Sequence, residues 1–175
     1  MTDSIYFDSD CISAFLWVRE EHLLVTLYPG QLVVPQQVYN EISRVPHLKA
    51  RLDAQITAGD MITCSIEVGS PEEALYNKMA YTPDAGRAIL GKGEAAAIAL
   101  ASVDNGVVAS NNLKDVAVYV TELGLQHTTT ADILVEAYNR AIITEADGNT
   151  IWQNMLAKKR RLGAASFSDY LSAQK

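Results

Sequence analysis

Short apolar runs alternate with longer helical patterns along most of this chain, and this alternation limits the fold more than any other feature. The runs IYF at 5–7, LVV at 32–34 and GVVA at 106–109 have the length of short strands, and a helical pattern follows each of them. Strands that alternate with helices are typical of a parallel sheet with helices packed on it. The sequence therefore predicts an α/β fold.

Further elements follow from the same patterns. Short strands are predicted at 61–66 and 125–128, which makes a sheet of four to five strands. Ser70 ahead of Pro71-Glu72-Glu73 is a strong helix start, because serine caps a helix and proline suits its first position. Helices are predicted at 12–18, 22–28, 36–43, 46–58, from 71, and at 94–101, 112–123, 131–142, 148–161 and 167–172.

Length, composition and charge indicate an ordinary soluble domain. The chain has 175 residues, a net charge of −7 and two well-separated cysteines, Cys11 and Cys64. No apolar run approaches the roughly 18 residues that cross a bilayer, and the start MTDSIYFDSD lacks the basic region of a signal peptide. We therefore expect a cytoplasmic protein with reduced thiols and no membrane contact. The acidic charge argues against tight non-specific nucleic-acid binding, although bound metal ions can supply positive charge locally.

The segment IYFDSDCI places two carboxylates, Asp8 and Asp10, directly after a strand that should be buried. An unpaired buried charge is costly, so these groups must face water, find partners or hold a cation. An aspartate after a strand is also a common cap for the next helix. Both interpretations, helix cap and cation ligand, remain open at this point.

Four acidic residues occupy related positions in the predicted fold. Asp8 follows the first strand, Glu41 lies on the helix after the second, Glu94 opens an alanine-rich helix, and Asp115 lies on the helix after GVVA. Ligands of open parallel sheets collect at the carboxyl ends of the strands. Clustered carboxylates without histidine or cysteine suit hard cations such as Mg²⁺ or Mn²⁺. We therefore predict a metal pocket built from these four acids.

The ordered set of motifs resembles the PIN-domain family of metal-dependent nucleases. The matching motifs are DSD at 8–10, VVPQQVYNEI with Glu41, GKGEAAAIALA with Glu94, and ASNNLKDV with Asp115. The resemblance extends to about residue 143. It implies a three-layer α/β/α domain over 1–143, with a helical extension over 144–175 that packs on this domain or projects from it.

The resemblance also implies an activity and a role for each site residue. It predicts a metal-dependent ribonuclease in which Asp8, Glu94 and Asp115 bind Mg²⁺ or Mn²⁺ and Glu41 acts through water. Asn112 would orient Asp115 or the substrate, with Ser9 and Asp10 as further supporting residues. The toxin-like branch of the family implies an RNA substrate, a homodimer and a small antitoxin-like protein partner.

Two other functions compete with the ribonuclease. Asn111 and Asn112 stand where other branches of the family have an acid, so the chain could be a PIN-fold binding module with weak or lost activity. The FDSD start also superficially resembles phosphatases with a nucleophilic aspartate, but Cys11-Ile12 replaces the expected glycine and threonine or valine.

One dense basic cluster stands out in the acidic chain. Lys158, Lys159, Arg160 and Arg161 follow one another near the end of a predicted helix. They are either a solvated helix end, favoured by the helix dipole, or a contact for RNA phosphate or an acidic partner.

Overall fold

The computed structural model describes residues 3–175 and contains one five-stranded, fully parallel sheet with the order β3-β2-β1-β4-β5. The strands are β1 (Ile5–Phe7), β2 (Leu32–Pro35), β3 (Met61–Cys64), β4 (Val107–Ala109) and β5 (Gln126–Thr128). The helices are α1 (Ser9–Val18), α2 (Glu21–Leu27), α3 (Gln36–Ile42), α4 (Pro46–Ala58), α5 (Pro71–Tyr81), α6 (Lys92–Asp104), α7 (Leu113–Leu123), α8 (Thr130–Asn139), α9 (Glu145–Ala157) and α10 (Phe167–Ala173).

The central strands are buried on both faces, because successive side chains point to opposite sides of a strand. Phe7 and Val34 face the larger core, which α1–α4 and α8–α10 cover. Tyr6, Val33 and Val108 face the smaller core, under α5–α7. This confirms the α/β fold predicted from the alternation of strands and helices, and the three-layer α/β/α arrangement that the family resemblance implies.

The alanine-rich helix α6 lies directly under the centre of the sheet. Ala95, Ala96, Ala97, Ala99 and Ala101 are all fully buried. Alanine has the highest helix propensity, and its short side chain lets a helix axis approach its neighbours closely. This close approach brings the first turn of α6, with Glu94, to the same edge of the sheet as the end of β1.

The last two helices complete the larger core. Trp152 of α9 and Phe167 at the start of α10 are fully buried, with ring centroids 5.9 Å apart. Gly148 of α9 lies against Phe167, and a Cβ atom on this glycine would come within 2.2 Å of the ring. Residues 144–175 thus pack on the helices that cover the sheet, with α9 against α1.

Several helix boundaries differ from the predicted ones; for example, α6 begins at Lys92 and α8 ends at Asn139. Three of the differences have identifiable reasons. Helix α1 begins at Ser9, because Asp8 caps it, and α9 begins at Glu145, because Thr144 and Asp147 form a capping box. Helix α9 also ends at Ala157, before the basic cluster, since Lys159 adopts a left-handed backbone conformation with φ of 60°. Within the described residues, none of the helices has the length and apolar character to cross a bilayer.

Replacing Gly148 by alanine tests how tightly α9 and α10 pack. We expect Gly148→Ala to lower the free energy of unfolding by about 1–3 kcal/mol, because the methyl group would overlap the fixed ring of Phe167. Helix propensity alone predicts the opposite sign. Asn154→Ala, at an exposed position of the same helix, is the control and should have little effect. Urea unfolding measures both, and an unchanged or higher stability of Gly148→Ala would contradict this packing.

Candidate functional site

The candidate site lies where the strand order of the sheet reverses. The chain passes from β1 to β2 and β3 on one side and then returns to β4 on the other side of β1. Such a reversal leaves a crevice at the carboxyl ends of the two strands, where open α/β sheets bind ligands. Asp8 follows β1 directly and Ser110 follows β4. The peptide N–H of Asp8 donates to the carbonyl oxygen of Ala109 over 2.9 Å, which holds these strand ends together.

Asp8 is both a helix cap and a buried acid facing other acids. Its Oδ1 accepts a 2.7 Å hydrogen bond from the peptide N–H of Cys11, which caps α1. Its Oδ2 is buried without a hydrogen-bond partner, and the side chain is 1% exposed. Burial raises the pKa of Asp8 to about 7, helped by the charges of Asp10 and Glu94, and it outweighs the lowering effect of the nearby Ser110 hydroxyl and the Cys11 peptide N–H. The residue therefore carries a free oxygen in a place where negative charge is unfavourable.

Asn112 joins two further acids. Its amide nitrogen donates to Glu94 Oε1 over 3.0 Å and to Asp115 Oδ2 over 3.2 Å. The other oxygen of Glu94 accepts from the peptide N–H of Gly91 over 3.2 Å. Asn112 also caps α7, since its Oδ1 accepts from the peptide N–H of Asp115. The amide thus fixes the carboxylates of α6 and α7 beside each other.

Ser9 connects Glu41 to the start of α1. The Ser9 hydroxyl donates to Glu41 Oε2, which directs this carboxylate of α3 towards the end of β1. Gly93 of α6 packs against both groups: a Cβ atom there would lie 2.7 Å from Ser9 Oγ and 3.1 Å from a methyl group of Val38. Only glycine fits between these neighbours without displacing them, so Gly93 allows α3 and α6 to meet at the site.

Asp10 is held from two sides. Asn111 donates to Asp10 Oδ2 over 3.1 Å and also bonds Thr130 at the start of α8. Arg160, which lies 150 residues further along the chain, approaches Asp10 Oδ1 at 3.3 Å and also donates to Ser13. Asp10 therefore has a positive counter-charge that Asp8 lacks.

Two adjoining cavities bring together all the acids that the sequence singled out. A cavity of about 350 Å³ is lined by Asp8, Ser9, Asp10, Glu41, Gly91, Gly93 and Glu94. A second cavity, of about 650 Å³, is lined by Asp10, Glu94, Asn111, Asn112, Leu113, Lys114, Asp115, Lys159 and Arg161. Asp10 and Glu94 belong to both, so the two cavities form one groove along the sheet edge. We call it the acidic groove.

Several residues of the groove were not identified from the sequence as site residues. Asn111 was noted as a replacement for an acid, but its hydrogen bonds to Asp10 and Thr130 depend on the fold. Gly93 carried one signal, since a glycine in the first turn of an otherwise alanine-rich helix indicates a close approach. Lys159 and Arg161 belong to the basic cluster that the sequence offers as a contact for RNA phosphate, but their approach to the acids has no local signal.

A divalent cation fits the groove by the chemistry of its donors. All the acidic side chains offer oxygen ligands, and Asp8 Oδ2 is a buried acceptor that no protein group satisfies. As the side chains stand, however, no three His, Cys, Asp or Glu residues between 3 and 175 are arranged to hold a metal ion together. The neutral donors Ser9, Asn112 and the Gly91 peptide engage the other carboxylates. These hydrogen bonds would have to be exchanged for bonds to the ion.

Comparison with known proteins identifies the family. The model of the family described as "PIN domain" matches residues 4–175. The match thus includes the C-terminal helices beyond residue 143, where the motif resemblance ended. A comparison with curated proteins finds no match.

The raised pKa of Asp8 predicts how stability depends on pH in the absence of divalent ions. Between the ordinary pKa near 4 and the folded value of about 7, the folded protein holds a proton that the unfolded chain has lost. The free energy of unfolding should therefore fall as pH rises from 5 to 7, by up to about 1.4 kcal/mol per pH unit from this group, and level off above.

Asp8→Asn is the test of this assignment. Asparagine keeps the helix cap but does not titrate, so the variant should match the wild type near pH 4 and exceed its stability by a growing margin as pH rises to 8. Urea unfolding with EDTA present measures both proteins. If the pH dependence of the variant equals that of the wild type, Asp8 is not the responsible group.

Proposed function

The chain belongs to the PIN-domain family, and we propose that it is a divalent-metal-dependent ribonuclease whose site is the acidic groove. PIN domains are generally nucleases and generally use divalent metals. The finer assignments, to an RNA substrate and to Mg²⁺ or Mn²⁺, are our proposal. The main support is the gathering of Asp8, Glu94 and Asp115 from three separate helix starts at the switch point of the sheet.

The proposed ligands are Asp8, Glu94 and Asp115. When bound, an Mg²⁺ or Mn²⁺ ion supplies positive charge that polarises a phosphodiester and lowers the pKa of a water molecule. The cation would also favour the ionised form of Asp8, whose burial otherwise raises its pKa. The unpartnered Oδ2 of Asp8 is the oxygen most ready to bind, since no hydrogen bond has to be broken first.

The remaining residues position these carboxylates. Asn112 holds Glu94 and Asp115 through one amide group, which limits their rotation. Ser9 orients Glu41, which we propose acts through a water molecule at the edge of the site. Asp10 is bonded to Asn111 and Arg160 and is therefore a supporting residue in this proposal rather than a direct ligand.

A binding module with the PIN fold is the second candidate. Two observations favour it: no three acids are arranged to hold an ion together among the described residues, and Asn111 serves structural hydrogen bonds where other branches have an acid. Metal binding without cleavage of any RNA would select this function. The homodimer, the antitoxin-like protein partner and a toxin role stay predictions, as does the cytoplasmic location.

Removal of one proposed ligand tests the nuclease. We expect Glu94→Gln to reduce Mn²⁺-dependent cleavage of a labelled single-stranded RNA by about 100-fold or more, because even residues outside the ligand shell of metal sites contribute about 10–100-fold. Glu67→Gln removes the same charge from an exposed residue outside the groove and should cleave at the wild-type rate.

Cleavage is measured by gel electrophoresis of the RNA, with EDTA as the metal-free reference. Melting curves of both variants confirm that they are folded. Cleavage that survives Glu94→Gln, or that proceeds equally in EDTA, would contradict the proposed mechanism.

A further inference from the structure

The basic residues 158–161, which we call the basic turn, lie beside the acidic groove rather than on a free helix end. Lys159 and Arg161 line the same cavity as Glu94 and Asp115. Arg160 pairs with Asp10, while Lys158 lies 5.5 Å above the ring of Trp17. Four consecutive residues therefore have three different surroundings, and only two of them line the larger cavity beside the acids.

The backbone of the basic turn is well defined by hydrogen bonds. The peptide N–H of Lys159 donates to the carbonyl of Leu156 over 2.9 Å, and that of Arg160 donates to Met155 over 3.0 Å. This pair of bonds is the Schellman motif, in which a left-handed residue ends a helix and glycine is the usual choice. Lysine at this position costs roughly 1 kcal/mol relative to glycine.

The negative charge of the groove indicates what these basic side chains can contribute. The groove contains Asp8, Asp10, Glu41, Glu94 and Asp115, and the whole chain carries a charge of −7. A polyanion is repelled from such a surface unless cations accompany the acids. Arg160 is already engaged with Asp10. Lys159 and Arg161, with Lys114, are the cationic side chains that line the larger cavity.

We infer that Lys159 and Arg161 form a phosphate-binding subsite for single-stranded RNA, next to the carboxylates. This inference rests on the proposed function and names the part of the groove that holds the substrate. The two side chains bind backbone phosphates that flank the cleaved bond. Arg160 is a positioning residue that keeps Asp10 in place. Because contacts of this kind are with phosphate, they act on every sequence alike.

The chain contains a matched control for Lys159. Arg19 is also an exposed basic residue in a left-handed conformation that ends a helix, with φ of 63°, and Glu20 donates to Phe15 as Arg160 does to Met155. It lies at the far end of α1, a helix of 10 residues that begins at the groove. That length corresponds to about 15 Å. Lys159→Gln and Arg19→Gln thus remove one positive charge from the same backbone setting, near the groove and far from it.

The test measures RNA binding and cleavage separately. Binding of a labelled oligouridine of about ten nucleotides is followed by fluorescence anisotropy at several salt concentrations in Mg²⁺, with Asp8→Asn added to every protein to block cleavage. We expect Lys159→Gln and Arg161→Gln each to weaken binding several-fold, and each to reduce the salt slope of log K by about 0.7. Arg19→Gln should leave both quantities unchanged.

The two proposals can fail independently. If Arg19→Gln weakens RNA binding as much as Lys159→Gln does, the effect comes from net charge and the proposed subsite is wrong. RNA cleavage by the protein without these substitutions would still support the nuclease. If no RNA binds, the subsite is wrong, and a parallel cleavage assay decides whether the nuclease stands. Binding of single-stranded DNA but not RNA would overturn the assignment of the substrate.

Discussion

The structure depends on how it tolerates several carboxylates at one edge of the sheet. Asp8 is buried where β1 ends and uses one oxygen to cap α1, so the residue serves the fold as well as the site. Its second oxygen has no partner, and neighbouring acids raise its pKa further. Capping of α1 favours the ionised carboxylate of Asp8, whereas its burial favours the neutral form. In the function that we propose, a small divalent cation would satisfy both requirements, because it would favour the ionised form of Asp8 without disturbing the cap.

Uncharged donors are the second device that keeps the acids together. The Asn112 amide lies between Glu94 and Asp115, and the Ser9 hydroxyl engages Glu41. Each of these donors reduces repulsion between carboxylates without adding a fixed positive charge to the proposed metal site. Arg160 pairs with Asp10, which both cavities share. Within residues 3–175, no salt bridge neutralises Asp8, Glu94 or Asp115, so this part of the groove stays negative.

Much of the fold was predictable because its signals are local. Strand length, helical spacing and caps such as Ser70 depend on a few neighbouring residues, and α4 and β1 have the predicted bounds. The acids were predictable as a set, because strand ends of a parallel sheet meet at one edge. The strand order was not predictable from the sequence, because it depends on crossovers between distant segments. The pairing of Arg160 with Asp10 was equally hidden, since 150 residues separate the two.

Helix ends explain the remaining differences from the sequence analysis. The basic cluster was predicted within a helix, but the Schellman motif at Lys159 ends α9 earlier and turns the chain towards the groove. Glycine usually occupies the left-handed position of such a motif. Because lysine stands there in this chain, the end of α9 could not be recognised from the sequence. Asp8 likewise satisfies both interpretations that the sequence leaves open, because it caps α1 and also lies among the candidate ligands.

The most direct measurement is a crystal structure of the protein grown with millimolar Mn²⁺, with anomalous scattering used to locate the ion. We expect an anomalous peak in the acidic groove, within about 2.5 Å of carboxylate oxygens from Asp8 and at least one of Glu94 and Asp115. A fully occupied ion elsewhere on the protein, or well-ordered carboxylates with no peak between them, would contradict it.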